Sequence, residues 1–184
     1  LTAALTATTS MMLGDLGADI AKVERQGIGD DLRALGPPFV AGSEDSTYFV
    51  TLNRNKRSVT LDFTQAKGAA ILKRMIAKAD VLIQNLAPGA AERAGFGSTV
   101  MRAEHKKLIT VDISGYGDHG PYRNRRAYDL LVQAESGLAS ITGTEHAPGR
   151  VGISATDIGT GMYAHAAVLE ALLARHKTGE GRAI

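Results

Sequence analysis

Cysteine is absent from the 184 residues, so this chain carries neither a disulfide nor thiolate chemistry. No apolar run approaches the roughly 18 residues that a membrane-spanning helix needs. The opening Leu-Thr-Ala-Ala-Leu-Thr-Ala lacks the basic stretch and cleavage signature of a secretory leader. There is little excess of either charge: 21 Lys and Arg against 19 Asp and Glu leave a net +2, which gives no signal for nucleic acid. The five histidines (His105, His119, His146, His165 and His176) are scattered without metal-ligand spacing, and surface or core positions suit them. Neither an internal repeat nor a low-complexity linker is present. What remains is an expected cytoplasmic, globular protein with no metal, no membrane and no nucleic-acid partner. With 44% hydrophobic and 22% charged residues, the chain is long enough for one domain with a real core.

One stretch organises the rest: Arg150-Val-Gly-Ile-Ser-Ala-Thr-Asp157-Ile-Gly-Thr-Gly161-Met-Tyr. A short apolar run leads into an acid, and a long helix follows. Ile158, Met162, His165, Ala166, Leu169, Leu172 and Leu173 recur at helical spacing and predict one apolar face. Lys177-Thr-Gly179 is a basic last turn and a stop. Asp157 at the helix start has two readings. It is an N-cap, the commoner role for Asp there. Or it is a nucleophile, held ionised by the positive end of the helix dipole and able to attack an activated carbonyl. Gly159 and Gly161 favour the second reading. Each costs about 1 kcal/mol of helix propensity, and each leaves bare backbone where a large ligand can approach.

In chain order, residues 1–16 read as a helix with Met11, Met12, Leu13 and Leu16 inward and Gly17 as the stop. Residues 19–24 read as a strand. Residues 25–46 form a Gly-, Pro- and charge-rich loop of the length that is often functional. Residues 47–52 are apolar and β-prone. Arg54, Lys56 and Arg57 then place three cations on one turn, either a solvated face or a bed for phosphates. Residues 58–62 read as another strand, 65–78 as an amphipathic helix with Ala69, Leu72, Met75 and Ile76 inward, and 80–84 as a buried strand. Asn85 and Arg93 follow its carboxyl end, where open α/β sheets bind ligands. Ser98 caps a short helix to His105, and residues 107–114 are the next strand. Gly115-Tyr-Gly117-Asp-His-Gly120 fits a dinucleotide-binding fingerprint, but Pro121 and a run of arginines follow where a helix should open, so NAD is excluded. Residues 127–139 read as one helix with Tyr128, Leu131, Val132, Glu135 and Leu138 along one side. The alternation of helices and strands predicts an α/β, Rossmann-like domain with a mainly parallel sheet.

Several of these segments resemble the class III CoA-transferases (the CaiB–BaiF family). Leu13-Gly-Asp-Leu-Gly-Ala-Asp-Ile-Ala-Lys-Val-Glu24 matches a family motif almost letter for letter. Asn53-Arg-Asn-Lys-Arg-Ser-Val-Thr-Leu-Asp62, Asn85-Leu-Ala-Pro-Gly89, Ser114-Gly-Tyr-Gly-Asp-His-Gly-Pro-Tyr122 and the Asp157 segment match others in the same order. An Ala-Gly-Pro of the family's first helix is absent; Leu5-Thr6-Ala7 stands there.

The resemblance implies a CoA-transferase that moves CoA from an acyl-CoA to a carboxylic acid through an aspartyl-CoA intermediate on Asp157. It implies CoA contacts at Arg25, Leu61, Asn85, Arg93, Arg126 and Tyr128. It places Asp129, Gly159 and Gly161 on the substrate side, and implies an interlocked homodimer. Family members are about twice this length. Residues 1–184 are thus expected to be the N-terminal CoA-binding and catalytic domain, without its first strand and second domain. The related α-methylacyl-CoA racemases carry a histidine where this chain has Tyr128. A phenol with a reference pKa of about 10 is poorly suited to their proton shuttle. A racemase and a non-catalytic CoA-binding fragment remain the alternatives.

Overall fold

The computed structural model describes residues 4–184. Leu1, Thr2 and Ala3, the start of the helix read over 1–16, lie outside the described residues.

Helix α1 (Ala4–Asp15) ends where Gly17 takes φ 95°, as the stop signal predicts. Leu16, expected in the core, lies past the helix end and is 67% exposed. Strand β1 (Ile20–Glu24) follows. The long loop after it is anchored rather than loose. The carboxylate of Glu24, almost fully buried, accepts two hydrogen bonds from Arg33 (3.0 and 3.1 Å), one from the Asp30 amide (3.0 Å) and one from Ser58 (2.8 Å).

Residues 47–52, β-prone by composition, form helix α2 (Thr47–Leu52) instead. Ser46 decides it. Its buried Oγ accepts the Phe49 amide at 2.9 Å and donates to the Leu32 carbonyl at 2.6 Å, so a cap starts a helix that propensity alone would not. Phe49 then packs with Ala7 and Leu32, under the Arg33 guanidinium at 4.0 Å.

Strand β2 (Lys56–Thr60) pairs in parallel with β1, Val23 opposite Val59. Helix α3 (Ala66–Ile76) buries Leu72 and Ile76 as its spacing predicts. Strand β3 (Val81–Gln84), half-buried, leads to the short helices α4 (Ala90–Arg93) and α5 (Ser98–Glu104). Strand β4 (Ile109–Asp112) pairs in parallel with β3, Ile83 opposite Val111. On its other side Thr110 bridges to Ala183 in parallel, with hydrogen bonds to Arg182 and Ile184.

Side chains alternate across these strands, as a pleat requires. Val81, Ile83, Val111 and Ile113 face one core with Leu5, Leu13, Ala164 and Val168. Leu82 and Leu108 face a second, with Leu72, Ile76, Phe96 and Met101. Strands covered on both faces and paired in parallel make this an α/β fold.

The helix expected over 127–139 is two: α6 (Asp129–Glu135) and α7 (Leu138–Thr142), broken by Gly137 at φ 83°. Its expected apolar stripe is split: Tyr128 and Leu131 are about half exposed, while Val132 and Leu138 are more buried. The residue fully buried on α6 is Gln133.

Helix α8 (Ala155–Thr178) ends on Gly179, whose amide returns to the Arg175 carbonyl. Its buried face is rotated from the one that hydrophobicity predicts. Gly161, Ala164, Val168 and Ala171 face inward, while Met162, Leu169 and Leu173 are exposed. Small residues let α1 come close, and that approach selects the face. A Cβ on Gly161 would lie 2.7 Å from the Thr8 Cβ, and Thr9 Oγ1 donates to the Gly161 carbonyl at 3.1 Å. No helix among the described residues is long and apolar enough to cross a membrane.

Candidate functional site

Ser154 is the N-cap of α8, yet its side chain makes no capping hydrogen bond. The cap comes from another helix. Asp129, the first residue of α6, directs Oδ1 at the start of α8 and accepts the Thr156 amide (2.8 Å), the Thr156 hydroxyl (2.6 Å) and the Asp157 amide (3.3 Å). Donors that a helix start leaves unsatisfied thus meet a carboxylate 27 residues upstream. Partial burial works against the charged form of Asp129. The hydrogen bonds from Thr156, the Asp157 amide and Gln133 outweigh it and hold the carboxyl below its usual range.

Asp157 is therefore not the N-cap. It is the third helical residue, 6% exposed, in the first turn where the helix dipole favours negative charge. Its cleft, about 50 Å³, is lined by Leu5, Ser114, Gly115, Tyr128, Thr156 and Thr160 among others. Ser114 and Gly115 follow the carboxyl end of β4, the place where a parallel sheet presents ligands.

Tyr48 on α2 reaches the same helix end, close enough to feel Ser154, Asp157 and Asp129. Burial first, then the negative charges of Asp157 and Asp129, raise the pKa of its phenol above the usual value. Tyr48 also lines a groove of about 520 Å³ with Leu35, Pro37, Pro38, Thr51 and Leu52. Sequence reasoning misses Tyr48, because residues 47–52 read as a strand and no local signal links it to residue 157.

The structure gathers Tyr128, Asp129 and Asp157 around the start of α8. Gly159 and Gly161 separate in role. Around Gly159 a Cβ would meet nothing within 4 Å, so bare backbone stands open there; Gly161 is taken up by packing on Thr8. Both lie beyond the first turn, where helix amides bond to carbonyls four residues back, so their N–H groups are not available to an oxyanion.

Three of the other expected contacts, Arg25, Leu61 and Asn85, stand at strand ends. Arg25, exposed, follows β1 and pairs with Asp31. Leu61 follows β2, its amide bonded to the Glu24 carbonyl at 3.0 Å and its side chain packed on the second core. Asn85 follows β3, half-buried, and exposed Arg93 ends α4 beside Gly89. Arg126 is exposed two residues before Tyr128. The three-cation bed does not form. Arg54 pairs with Asp15, and Arg57 with Asp19. Lys56 turns inward to the Ala7 carbonyl (2.8 Å) and Asn53 (3.1 Å), where burial and the neighbouring Lys22 push its pKa down to about 7. The glycine loop after β4 is tied to α6 by Tyr116, whose hydroxyl donates to Glu135 at 2.6 Å.

Residues 2–184 match the family described as CoA-transferase family III. The human protein named succinyl-CoA:glutarate CoA-transferase is 44% identical over 173 residues, covering 94% of this chain and 39% of that protein. A formyl-CoA:oxalate CoA-transferase of Bradyrhizobium sp. (strain ORS 278) is 39% identical over 178 residues, covering 96% of this chain and 41% of its own. The crystal structure of a CAIB/BAIF family protein from Brucella suis superposes with a TM-score of 0.92 at 38% identity, covering 98% of this chain and 48% of that one. The chain thus spans about 40% of the length of these curated relatives.

Proposed function

The chain belongs to CoA-transferase family III, and from that premise we propose that it carries the nucleophile and the CoA-binding part of an enzyme that moves CoA between carboxylic acids. The observation that carries the reading is Asp157: a buried carboxylate in the first turn of α8, facing a cleft at the carboxyl end of a parallel strand.

In this mechanism the Asp157 carboxylate attacks the thioester carbonyl of a bound acyl-CoA. The carbon–sulfur bond breaks, leaving a mixed anhydride and the CoA thiolate. The thiolate attacks the aspartyl carbonyl, forms an aspartyl-CoA thioester and releases the donor acid. An acceptor carboxylate attacks the same carbonyl and expels the thiolate, which then takes the acceptor's acyl group and restores Asp157. One thioester replaces another, and no water is consumed. A carboxylate is a weak nucleophile, so positioning must supply the rate. The burial of Asp157 also limits the access of water to the anhydride.

The remaining assignments belong to the same reading. Arg93 and Arg126 are exposed cations suited to the phosphates of CoA. Arg25, Leu61, Asn85 and Tyr128 complete its contacts, and Gly159 leaves room for the acyl end. Both named relatives pair an acyl-CoA with a dicarboxylic acid, so a dicarboxylate is the proposed acceptor. We place the enzyme in the cytoplasm as an interlocked homodimer, with this chain as its N-terminal large domain; light scattering of the intact protein tests the dimer.

The covalent step is tested by incubating the intact protein with succinyl-CoA and hydroxylamine. A hydroxamate on the peptide holding Asp157 is the expected product. Asp157→Ala should bind CoA normally and exchange nothing, and retained exchange would sink the mechanism.

A further inference from the structure

Gln133 is the one side chain of α6 that is fully buried, and every polar atom it has is used. Nε2 donates to Asp129 Oδ2 at 2.6 Å and to the Ile153 carbonyl at 3.3 Å. Oε1 accepts the Val151 amide at 2.8 Å. The amide therefore grips both sides of the segment that delivers Asp157. On one side it fixes the backbone at 151 and 153, just before α8 begins. On the other it orients the Asp129 carboxylate, whose second oxygen holds the amides of Thr156 and Asp157.

A buried amide is costly unless its donor and acceptor are both engaged, so Gln133 holds its partners as firmly as they hold it. Here those partners lie on both sides of residue 154, so the start of α8 is held at 151, 153, 156 and 157 from a single point. Asp129 works with it, since both carboxylate oxygens are taken by protein donors. This gives Asp129 a role other than contact with substrate.

We propose that Gln133, acting through Asp129, is a positioning residue that sets where the Asp157 carboxylate stands in its cleft. The inference rests on the transferase reading above, since it needs Asp157 to be the reacting group. A nucleophile that depends on placement is sensitive to small displacements, and about 1 Å can cost on the order of 100-fold in rate.

The test uses two variants of the intact protein. Gln133→Leu removes the grip while keeping the position filled. Gln133→Glu keeps the acceptor for Val151 but sets a second carboxylate against Asp129, and once the pH is high enough to ionise both, their repulsion drives the two apart. The other titratable groups at this helix end are Asp157 on α8 and Tyr48 on α2. At low pH a shared proton restores the bridge.

In Gln133→Leu, kcat for CoA exchange should fall by about 100-fold with KM for the acyl-CoA within a few-fold of the parent. Amide hydrogen exchange at Thr156 and Asp157 should lose protection. In Gln133→Glu, kcat should fall at pH 8 and recover reversibly as the pH is lowered, a limb the parent lacks. If Gln133→Leu does not fold, this reversible limb carries the test. A kcat near the parent's in either variant at pH 8, or a lowered melting point with unchanged kcat per folded molecule, would overturn the proposal. The transferase reading fails separately, if Asp157→Ala with Gln133 intact still exchanges CoA.

Discussion

Asp129 accepts the amide of Thr156 at 2.8 Å, so the helix that carries Asp157 is capped by a residue of a different helix. A self-capped helix keeps its start wherever it goes. This one keeps its start only while α6 and α8 remain docked, which links the cleft to tertiary packing.

An acid limb follows from that bond. The folded-state pKa of Asp129 is held below the unfolded value, so its contribution to stability is present above the unfolded pKa. It is lost as the pH falls through the lower folded value. Asp129→Ala should flatten this part of a stability-against-pH curve and cost about 1 kcal/mol at neutral pH, as loss of a cap does. Urea melts between pH 2 and 7 measure both.

The two glycines of the first turns of α8 should respond in opposite directions. Gly161→Ala drives a methyl into Thr8 and should destabilise the protein by about 1–3 kcal/mol. Gly159→Ala meets nothing and adds helix propensity, so stability should rise by up to about 1 kcal/mol. If bare backbone at 159 receives the acyl-CoA, the same change should raise KM. Thermal melts and steady-state kinetics on the pair separate packing from ligand approach.

Lys56 predicts an alkaline effect of opposite origin. Its pKa is about 7 in the folded state against an ordinary 10.5, so between these values the unfolded chain binds more protons. Stability should therefore rise with pH across that window through this group, and be insensitive to it below pH 7. Lys56→Met should remove that slope. A slope unchanged in the variant would mean that the ammonium stays charged against Asn53 and the Ala7 carbonyl.

The α/β class, the parallel pairing and the place of Asp157 near a helix start are all legible in the sequence. Periodicity and turn residues are local signals, and these elements obey them. Three features are not legible, for a shared reason. Residues 47–52 look like a strand until Ser46 finds the Leu32 carbonyl. The face of α8 looks like Met162 and Leu169 until Thr8 selects Gly161. Asp157 looks like a cap until Asp129 takes that place. In each case a partner distant in the chain overrules a local preference. Gln133 is hidden too, because a polar residue in an amphipathic stretch reads as solvent-facing, and only its three hydrogen bonds explain its burial.

The bond from Thr9 to the Gly161 carbonyl spans 152 residues. During synthesis α1 emerges well before its partner α8, and the four strands lie between them. Until that loop closes, α1 has no surface for its threonines and the Asp157 cleft lacks the wall that Leu5 provides. Contacts this remote in sequence delay folding, because chain entropy must be lost before they form. The Asp157 cleft is thus completed only when α8 docks on α1, after the strands that surround it have already been made.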